Sequence, residues 1–479
     1  MANFIGRKDE LTTLKQLLNK SSASLLVIKG RRRIGKSRLL EEFSKAFENA
    51  YIFSGLAPTT TGSMSAQAQR DEFVKQFSRQ LSDIPKNQTQ DWGDLFWQLS
   101  RQTNGNQTLI ILDEITWMGS MDPDFLGKLK NAWDLYFNKN DRLILALCGS
   151  LSTWIEQNIL SSTGFLGRVS MVLTLEEMPL YDCAKFWSAE DKRISAYEKF
   201  KVLSITGGIP RYLESINPTL TAEKNIQNLC FSQTGILFDE FEKIFSDLFS
   251  SKNELYKRIV TCLADGITDQ KNITNSLGLQ KSGDISYYLN DLVNSGFISR
   301  DFTWNIKNST FSNLSHYRLK DNYSRFYLKY ILPNKENIKL GNMKNISLLS
   351  LKNWYSMMGL QFENLVLSNR DLIKKELEIK PDDIIADNPF FQRKSTKQQG
   401  CQIDYLIQTK NNVLYICEIK FSDREIGKYI IEEMREKISR LQIPKQFSFR
   451  PVLIHINGVS ESVIESQYFS NMIDFSGFL

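Results

Sequence analysis

The segment Gly30-Arg-Arg-Arg-Ile-Gly-Lys-Ser37 limits what this chain can fold into more than any other stretch. It is a complete G-x-x-x-x-G-K-S phosphate loop, in which two glycines let the backbone curl so that its N–H groups face a polyphosphate. The flanks agree with that reading. Ser24-Leu-Leu-Val-Ile-Lys29 before it is a short apolar run suited to a buried parallel strand, and Arg38-Leu-Leu-Glu-Glu-Phe-Ser44 after it reads as a helix. Lys36 is placed to reach the β- and γ-phosphates, Ser37 to ligate Mg²⁺, and the helix N-terminus to add its positive dipole. The expected ligands are therefore ATP and Mg²⁺. The nucleotide-binding set comprises Gly30, Arg31, Arg32, Arg33, Ile34, Gly35, Lys36, Ser37 and Arg38. Whether the three loop arginines face phosphate or an adjoining domain is open at this level.

Apolar runs alternate with helix-like runs up to about Met178, the pattern of a parallel sheet covered by helices on both faces. Within it, Thr108-Leu-Ile-Ile-Leu-Asp-Glu114 is a buried strand whose carboxylates emerge at its C-terminal edge. Asp113 is expected to hold Mg²⁺ directly or through water, and Glu114 to polarise the attacking water. A third apolar strand runs through Arg142-Leu-Ile-Leu-Ala-Leu-Cys-Gly-Ser150.

At 479 residues, several domains are expected. A net charge of +6 permits a nucleic-acid partner without requiring one. The six cysteines form no C-x-x-C pair, and those in apolar runs suit reduced core thiols. With only His316 and His455 present, histidine-based metal or triad chemistry is excluded as a main reading. His455 lies in an apolar strand and is expected to be a satisfied core residue. The sequence has no secretory h-region and no apolar run near the ~18 residues of a membrane helix, so the expectation is a cytoplasmic protein with no membrane partner.

Five segments together resemble the signal-transduction branch of P-loop ATPases related to AAA+ proteins, and within it the archaeal ATPase family. They are Phe4-Ile-Gly-Arg-Lys-Asp-Glu-Leu11, the arginine-rich loop, Leu112-Asp-Glu114, Phe165-Leu-Gly-Arg168 and Thr206-Gly-Gly-Ile-Pro-Arg-Tyr-Leu213. The resemblance implies that Phe4, Ile5 and Gly6 pack near the adenine and that Pro210 lies near the nucleotide, opening a lid helix. It also places the Arg142–Ser150 strand between the loop strand and the Asp-Glu strand, with Ser150 or Ser152 near the γ-phosphate. Arg168, in a loop before another strand, is suited to an arginine-finger role in its own site or a neighbouring subunit's. A homo-oligomer or a partner protein is accordingly among the expected associations.

From Leu255 the pattern becomes short helices and glycine turns: Leu255–Leu263, Ile273–Leu277 ended by Gly278, and Ser282–Asn294 stopped by Gly296. Phe297–Arg300 and Tyr317–Leu319 read as strands of a wing, which gives the winged-helix plan. Its third helix would expose Lys281, Ser282, Asp284, Ser286 and Tyr287, a face that is not basic.

Beyond a polar stretch at Pro333–Lys339, three fragments combine. Glu363 lies on an amphipathic helix, Asp404 on one strand, and Glu418 and Lys420 on the next, sharing a face because side chains alternate. Asp404 and Glu418 suit a hard divalent cation, with the Ile419 carbonyl as a further ligand and Lys420 acting on the attacking water. The arrangement resembles the PD-(D/E)xK restriction-endonuclease-like superfamily, with Glu363 matching the acid of its N-terminal helix. The family's leading proline is absent, Gln402-Ile403 preceding Asp404.

The expected fold is thus α/β, divided as a P-loop ATPase core over 1–178, a helical lid over 179–250, a winged helix-turn-helix over 251–332 and a nuclease-like domain over 333–479. The expected function is an ATP-driven switch coupled to a metal-dependent nuclease acting on nucleic acid, DNA more than RNA. The alternative is an ATP-dependent regulatory or DNA-binding protein whose nuclease-like domain is not catalytic.

Overall fold

The computed structural model describes residues 4–57, 65–81, 91–103, 105–120, 122–150, 152–187, 193–249, 253–279, 284–396 and 398–479. They form two compact units, Met1–Met178 and Pro179–Leu479.

The first unit is built on five parallel strands: β1 (Ser24–Gly30), β2 (Asn49–Ser54), β3 (Thr108–Asp113), β4 (Leu143–Gly149) and β5 (Val169–Leu175), in the order β2-β3-β4-β1-β5. Parallel neighbours need crossovers, and helices supply them between successive strands. β1, β3 and β4 are buried almost throughout, which is why they read as continuous apolar runs rather than alternating ones. β4 lies between β1 and β3, as the family resemblance implied. Two crossover helices begin at side-chain caps: Ser65 accepts from the Ala68 N–H, and Asp91 from the Asp94 N–H. Their apolar faces meet β2 in an aromatic core, where Phe53 stacks on Phe73 at 4.2 Å and Trp92 stands edge-on to Phe125 at 4.8 Å.

The second unit opens with helices, among them Ala196–Thr206, Ala222–Cys230 and Glu240–Phe249. Three more follow, Asn253–Cys262, Gln270–Ser276 and Asp284–Asn294, and then a hairpin of β7 (Ile298–Asn305) and β8 (Thr310–Leu319), to which β6 (Thr268–Asp269) adds a short antiparallel edge. Gly278 and Gly296 end their helices with φ of 67° and 77°, conformations that favour glycine. Both hairpin strands are longer than the sequence suggested. Polar residues such as Asp301 and Ser315 look like breakers, yet they pair across the hairpin with His316 and Phe302. Of the expected recognition face, Lys281, Ser282 and the Asp284 side chain lie outside the described residues; Ser286 accepts a hydrogen bond from Gln270, and Tyr287 is exposed. The stretch read as a polar boundary is helical at Lys335–Lys339, because Ile338 finds a buried site.

After the helix Trp354–Ser368 come β9 (Ile384–Gln392), β10 (Cys401–Thr409), β11 (Val413–Lys420), the helix Tyr429–Arg440, β12 (Ser448–His455) and β13 (Asn471–Asp474). The sheet order is β13-β12-β11-β10-β9, with β9, β10 and β11 antiparallel and β11, β12 and β13 parallel. The β7–β8 hairpin is fastened to this sheet. Trp304 and Ile306 belong to its hydrophobic core, and the Trp304 indole donates to Gln408 Oε1 at 2.6 Å.

Candidate functional site

In the first unit the phosphate loop turns on three positive-φ residues, Gly30 at 150°, Arg33 at 72° and Gly35 at 93°, before the helix Lys36–Ser44 begins. Gly30 is required for a packing reason: a Cβ there would stand 2.5 Å from the Leu175 carbonyl oxygen of β5. Lys36 is buried, and its ammonium donates to the Gly30 carbonyl at 3.0 Å, the Arg31 carbonyl at 3.1 Å and Ser150 Oγ at 3.1 Å. Ser150 in turn donates to Glu114 at 3.0 Å, so β4 links the loop lysine to the β3 acid. The Ser37 hydroxyl donates to Asp113 at 2.6 Å. Glu114 holds φ at 51°, an uncommon conformation for a non-glycine residue, which turns it away from the strand direction.

This geometry suits a nucleotide and its metal. Three donor bonds hold the Lys36 ammonium at the mouth of the loop, and an exposed hydroxyl and a carboxylate sit together as hard oxygen ligands. Ile34 and Arg31 are buried, Arg32 and Arg33 half-buried, and Arg38 pairs with Glu41 at 3.2 Å. Phe4 and Ile5 are half-buried, and Gly6 at φ 72° turns the chain into Arg7.

Arg7 is the organiser that sequence reasoning missed. Its buried guanidinium donates to the Ile34 carbonyl of the loop at 3.1 Å, to the Glu176 carbonyl beyond β5 at 2.6 Å, and to Glu10 at 2.6 Å. One side chain thereby ties the N-terminal segment, the loop and the far edge of the sheet. Its place inside the Phe-Ile-Gly-Arg opening was the available signal.

Arg168 makes a bidentate pair with Asp134, Nε–Oδ1 at 2.7 Å and Nη2–Oδ2 at 2.8 Å. The arginine pulls the Asp134 carboxyl down to about 2. The Ser152 side chain lies outside the described residues. Pro210, in the second unit, begins the helix Pro210–Leu213 after a turn at Gly207 with φ 56°.

The second unit brings the expected carboxylates together. β10 and β11 pair up to Tyr405 and Cys417, and the next residues along are Asp404 and Glu418. Asp404 Oδ2 accepts from the Ile419 N–H at 3.0 Å. Glu418 is buried, and burial, followed by the charge of Asp404, raises its pKa; the same two causes raise that of Glu363. Glu363 Oε1 is buried and has no hydrogen-bond partner among the described residues.

Two features depart from expectation. Lys420 does not stand on Glu418; its ammonium donates to Glu433 at 2.7 Å. The lysine on the carboxylates is Lys437, which binds Glu418 tightly and approaches Asp404 at 3.4 Å. Burial opposes its charge, but Asp404 and Glu418 outweigh that and hold its pKa up. Glu433 and Lys437 are four residues apart and so share one face of the helix Tyr429–Arg440, the periodic signal that marked them. Among the described residues no group of three or more His, Cys, Asp or Glu side chains is arranged to hold a metal ion. His455 is buried as expected but not satisfied, since its Nδ1 has no partner among the described residues. Five of the six cysteines are buried and all six are free.

No described helix is long and apolar enough to cross a membrane. Residues 4–216 match the model of an ATPase domain predominantly from Archaea. An uncharacterized protein of Methanocaldococcus jannaschii is 25% identical over 341 residues, covering 71% of each chain. An uncharacterized ATP-binding protein of the same organism is 40% identical over 52 residues, which is 10% of this chain and 88% of that protein. Among solved structures, a Walker-type ATPase of Pyrococcus abyssi is similar at 15% identity and a TM-score of 0.48, covering 68% of this chain and 96% of that one. The Aeropyrum pernix ORC2 protein, solved with ADPNP and ADP, is similar at 13% identity and a TM-score of 0.43, covering 72% and 98%. With the loop, its strand order and the Lys36–Ser150–Glu114 link in place, residues 4–216 match the archaeal ATPase model as a nucleotide-binding ATPase domain of P-loop type.

Proposed function

We propose that the chain is an ATP-dependent switch whose second unit carries a metal-dependent phosphodiesterase site acting on nucleic acid, DNA more than RNA. The observation that carries it is the order helix–β9–β10–β11–helix–β12, which sets Asp404 and Glu418 side by side on adjacent strands with Glu363 close enough to share their field. That order and those acids support the PD-(D/E)xK reading. The helices and hairpin of 253–319 support the winged-helix reading in the same way.

In the ATPase site Lys36 would bind the β- and γ-phosphates, Ser37 and Asp113 would hold Mg²⁺, and Glu114 would orient the attacking water, kept in place by Ser150. Phe4, Ile5 and Gly6 would pack near the adenine, and Arg168 would act as finger once released from Asp134. In the second unit Asp404, Glu418 and the Ile419 carbonyl would hold a divalent cation in the place now taken by the Lys437 ammonium. Such a cation supplies positive charge to a phosphate. Lys420 and Lys437 would then be free to bind phosphate oxygens and to position water.

The test is incubation with Mg²⁺ or Mn²⁺ and several DNA and RNA substrates, with and without ATP. Cleavage lost in Asp404→Ala and Lys420→Ala but kept in a distant surface variant is the expected outcome. A second reading, a non-catalytic nuclease-like domain that binds a partner or nucleic acid, draws on the ammonium already seated on both acids. Absence of both cleavage and cation binding would select it.

A further inference from the structure

We propose that the cleft between β8 and the β9–β10 hairpin is a phosphodiester-binding subsite that seats one nucleotide of a nucleic-acid strand beside the carboxylate pair. This rests on the reading of Asp404 and Glu418 as a phosphodiesterase site. The cleft has a volume of about 520 Å³, within the range of small-ligand pockets and larger than a lone phosphate needs. Its walls include His316, Phe391, Arg393, Lys437 and Arg440, and among the described residues no carboxylate lines it. Arg440 pairs with Glu436 and Lys437 with Glu418 and Asp404, so an entering phosphate meets the Arg393 guanidinium and competes for the other two cations, and guanidinium forks match its oxygens.

Part of the lining has different chemistry. The His316 and Phe391 rings stack at 3.9 Å and 25°, forming a flat aromatic step at the cleft. His316 Nδ1 is buried without a hydrogen-bond partner among the described residues, so a polar atom waits beside an aromatic face. Burial lowers the His316 pKa, which keeps the ring neutral and suited to stacking on a base. Cationic side chains and an aromatic step lining one cleft are what a nucleotide requires.

The cleft is also held in shape and aimed. The Gln392 amide donates to the Gln399 and Arg440 carbonyls, each at 2.7 Å, and its Oε1 accepts from the Gln442 N–H at 2.9 Å, which locks the hairpin end to the helix Tyr429–Arg440. Lys437 belongs to the cleft and to the carboxylate pair at once, so a phosphate bound at Arg393 and Arg440 has its neighbour along a strand directed at Asp404 and Glu418.

The experiment titrates a fluorescein-labelled single-stranded DNA oligonucleotide with the full chain in EDTA, where cleavage plays no part, and reads anisotropy across salt concentrations. Arg393→Glu combined with Arg440→Glu should weaken binding about tenfold or more and flatten the salt slope by roughly 1.4, two single-strand phosphate contacts at ~0.7 each. His316→Ala should weaken it by about fivefold or more at unchanged slope, the signature of a lost stack. Both side-chain changes are checked against unchanged far-UV circular dichroism and unchanged nucleotide retention. Wild-type affinity and slope in the charge-reversal variant would overturn the subsite. So would calorimetric binding of inorganic phosphate alone with no binding of the oligonucleotide, which marks a free-phosphate site. Asp404→Ala, assayed for cleavage in Mn²⁺, reports on the catalytic reading separately, so either claim can fail alone.

Discussion

Lys36, Ser150 and Glu114 form one hydrogen-bonded line across three strand ends, and each link predicts a different defect. Lys36→Ala removes charge-assisted bonds to phosphate worth ~1.5–3 kcal/mol, so nucleotide affinity should drop about ten- to a hundredfold in a fluorescent-nucleotide titration. Glu114→Gln keeps the shape and the bond from Ser150 but not the charge. It should retain nucleotide while hydrolysis slows roughly 10²–10⁴-fold in a phosphate-release assay, and a normal rate would remove Glu114 as the residue acting on water. Asp134 offers a pH test. Its folded value, about 2, lies below the ordinary 3.8, so the unfolded chain binds the proton more readily, and the stabilising contribution exists above pH 4 and fades as pH falls toward 2. The melting-temperature gap between wild type and Asp134→Asn should therefore shrink across that window, and a constant gap would show that the Arg168 pair contributes no charge-dependent stability. The residues legible in sequence were those with a fixed spacing: the loop, Asp113–Glu114, and the Glu418-x-Lys420 strand. Arg7 and Lys437 were not, because each acts through partners far away in the chain, Glu176 for one and Asp404 and Glu418 for the other.

At the scale of elements, the β7–β8 hairpin shows what periodicity conveys and what it leaves out. Alternation and glycine stops gave three helices and two strands, but nothing in the sequence says what the outer half of a hairpin packs on. Trp304 and Ile306 enter the core under β9 to β13, and Thr303 Oγ1 donates to the Phe391 carbonyl at 3.1 Å. A hairpin anchored in this way is a structural brace between the helices of 253–294 and the C-terminal sheet. Trp304→Ala should cost about 3–5 kcal/mol, the usual range for emptying a large aromatic site, and it also leaves Gln408 Oε1 without its indole donor. Urea denaturation would measure the loss, and a change below ~1 kcal/mol would mean that the hairpin only rests against the sheet. The strands β1, β3 and β4 of the first unit were readable because buried parallel strands are unbroken apolar runs, and the place of β4 between the other two followed from the family resemblance. The mixed sheet of the second was readable only in fragments, since Asp387-Asn388-Pro389 interrupt the apolar run of β9 and β13 is only four residues long.

For the whole molecule, two compact units predict two unfolding events rather than one. Ligand binding stabilises only the fold that binds, by about 2.7 kcal/mol at a hundredfold excess over Kd. In scanning calorimetry, ATP with Mg²⁺ should raise the transition of Met1–Met178, and Lys36→Ala should cancel that rise. If the second transition moves with the first, the units are thermodynamically linked as a switch requires; if it stays fixed, nucleotide state does not reach the carboxylates through folding energy. The amine of Lys437 bears on the same measurement from another side. A buried acid beside a half-buried one would normally make a fold depend on a cation from solution, as small metal-nucleated domains do. Here the counter-charge is covalently part of the chain. The second unit should therefore reach its native state in chelator and keep an unchanged melting point there, and any divalent ion that enters must do so by exchange, its apparent affinity reduced by whatever it costs to evict the resident ammonium.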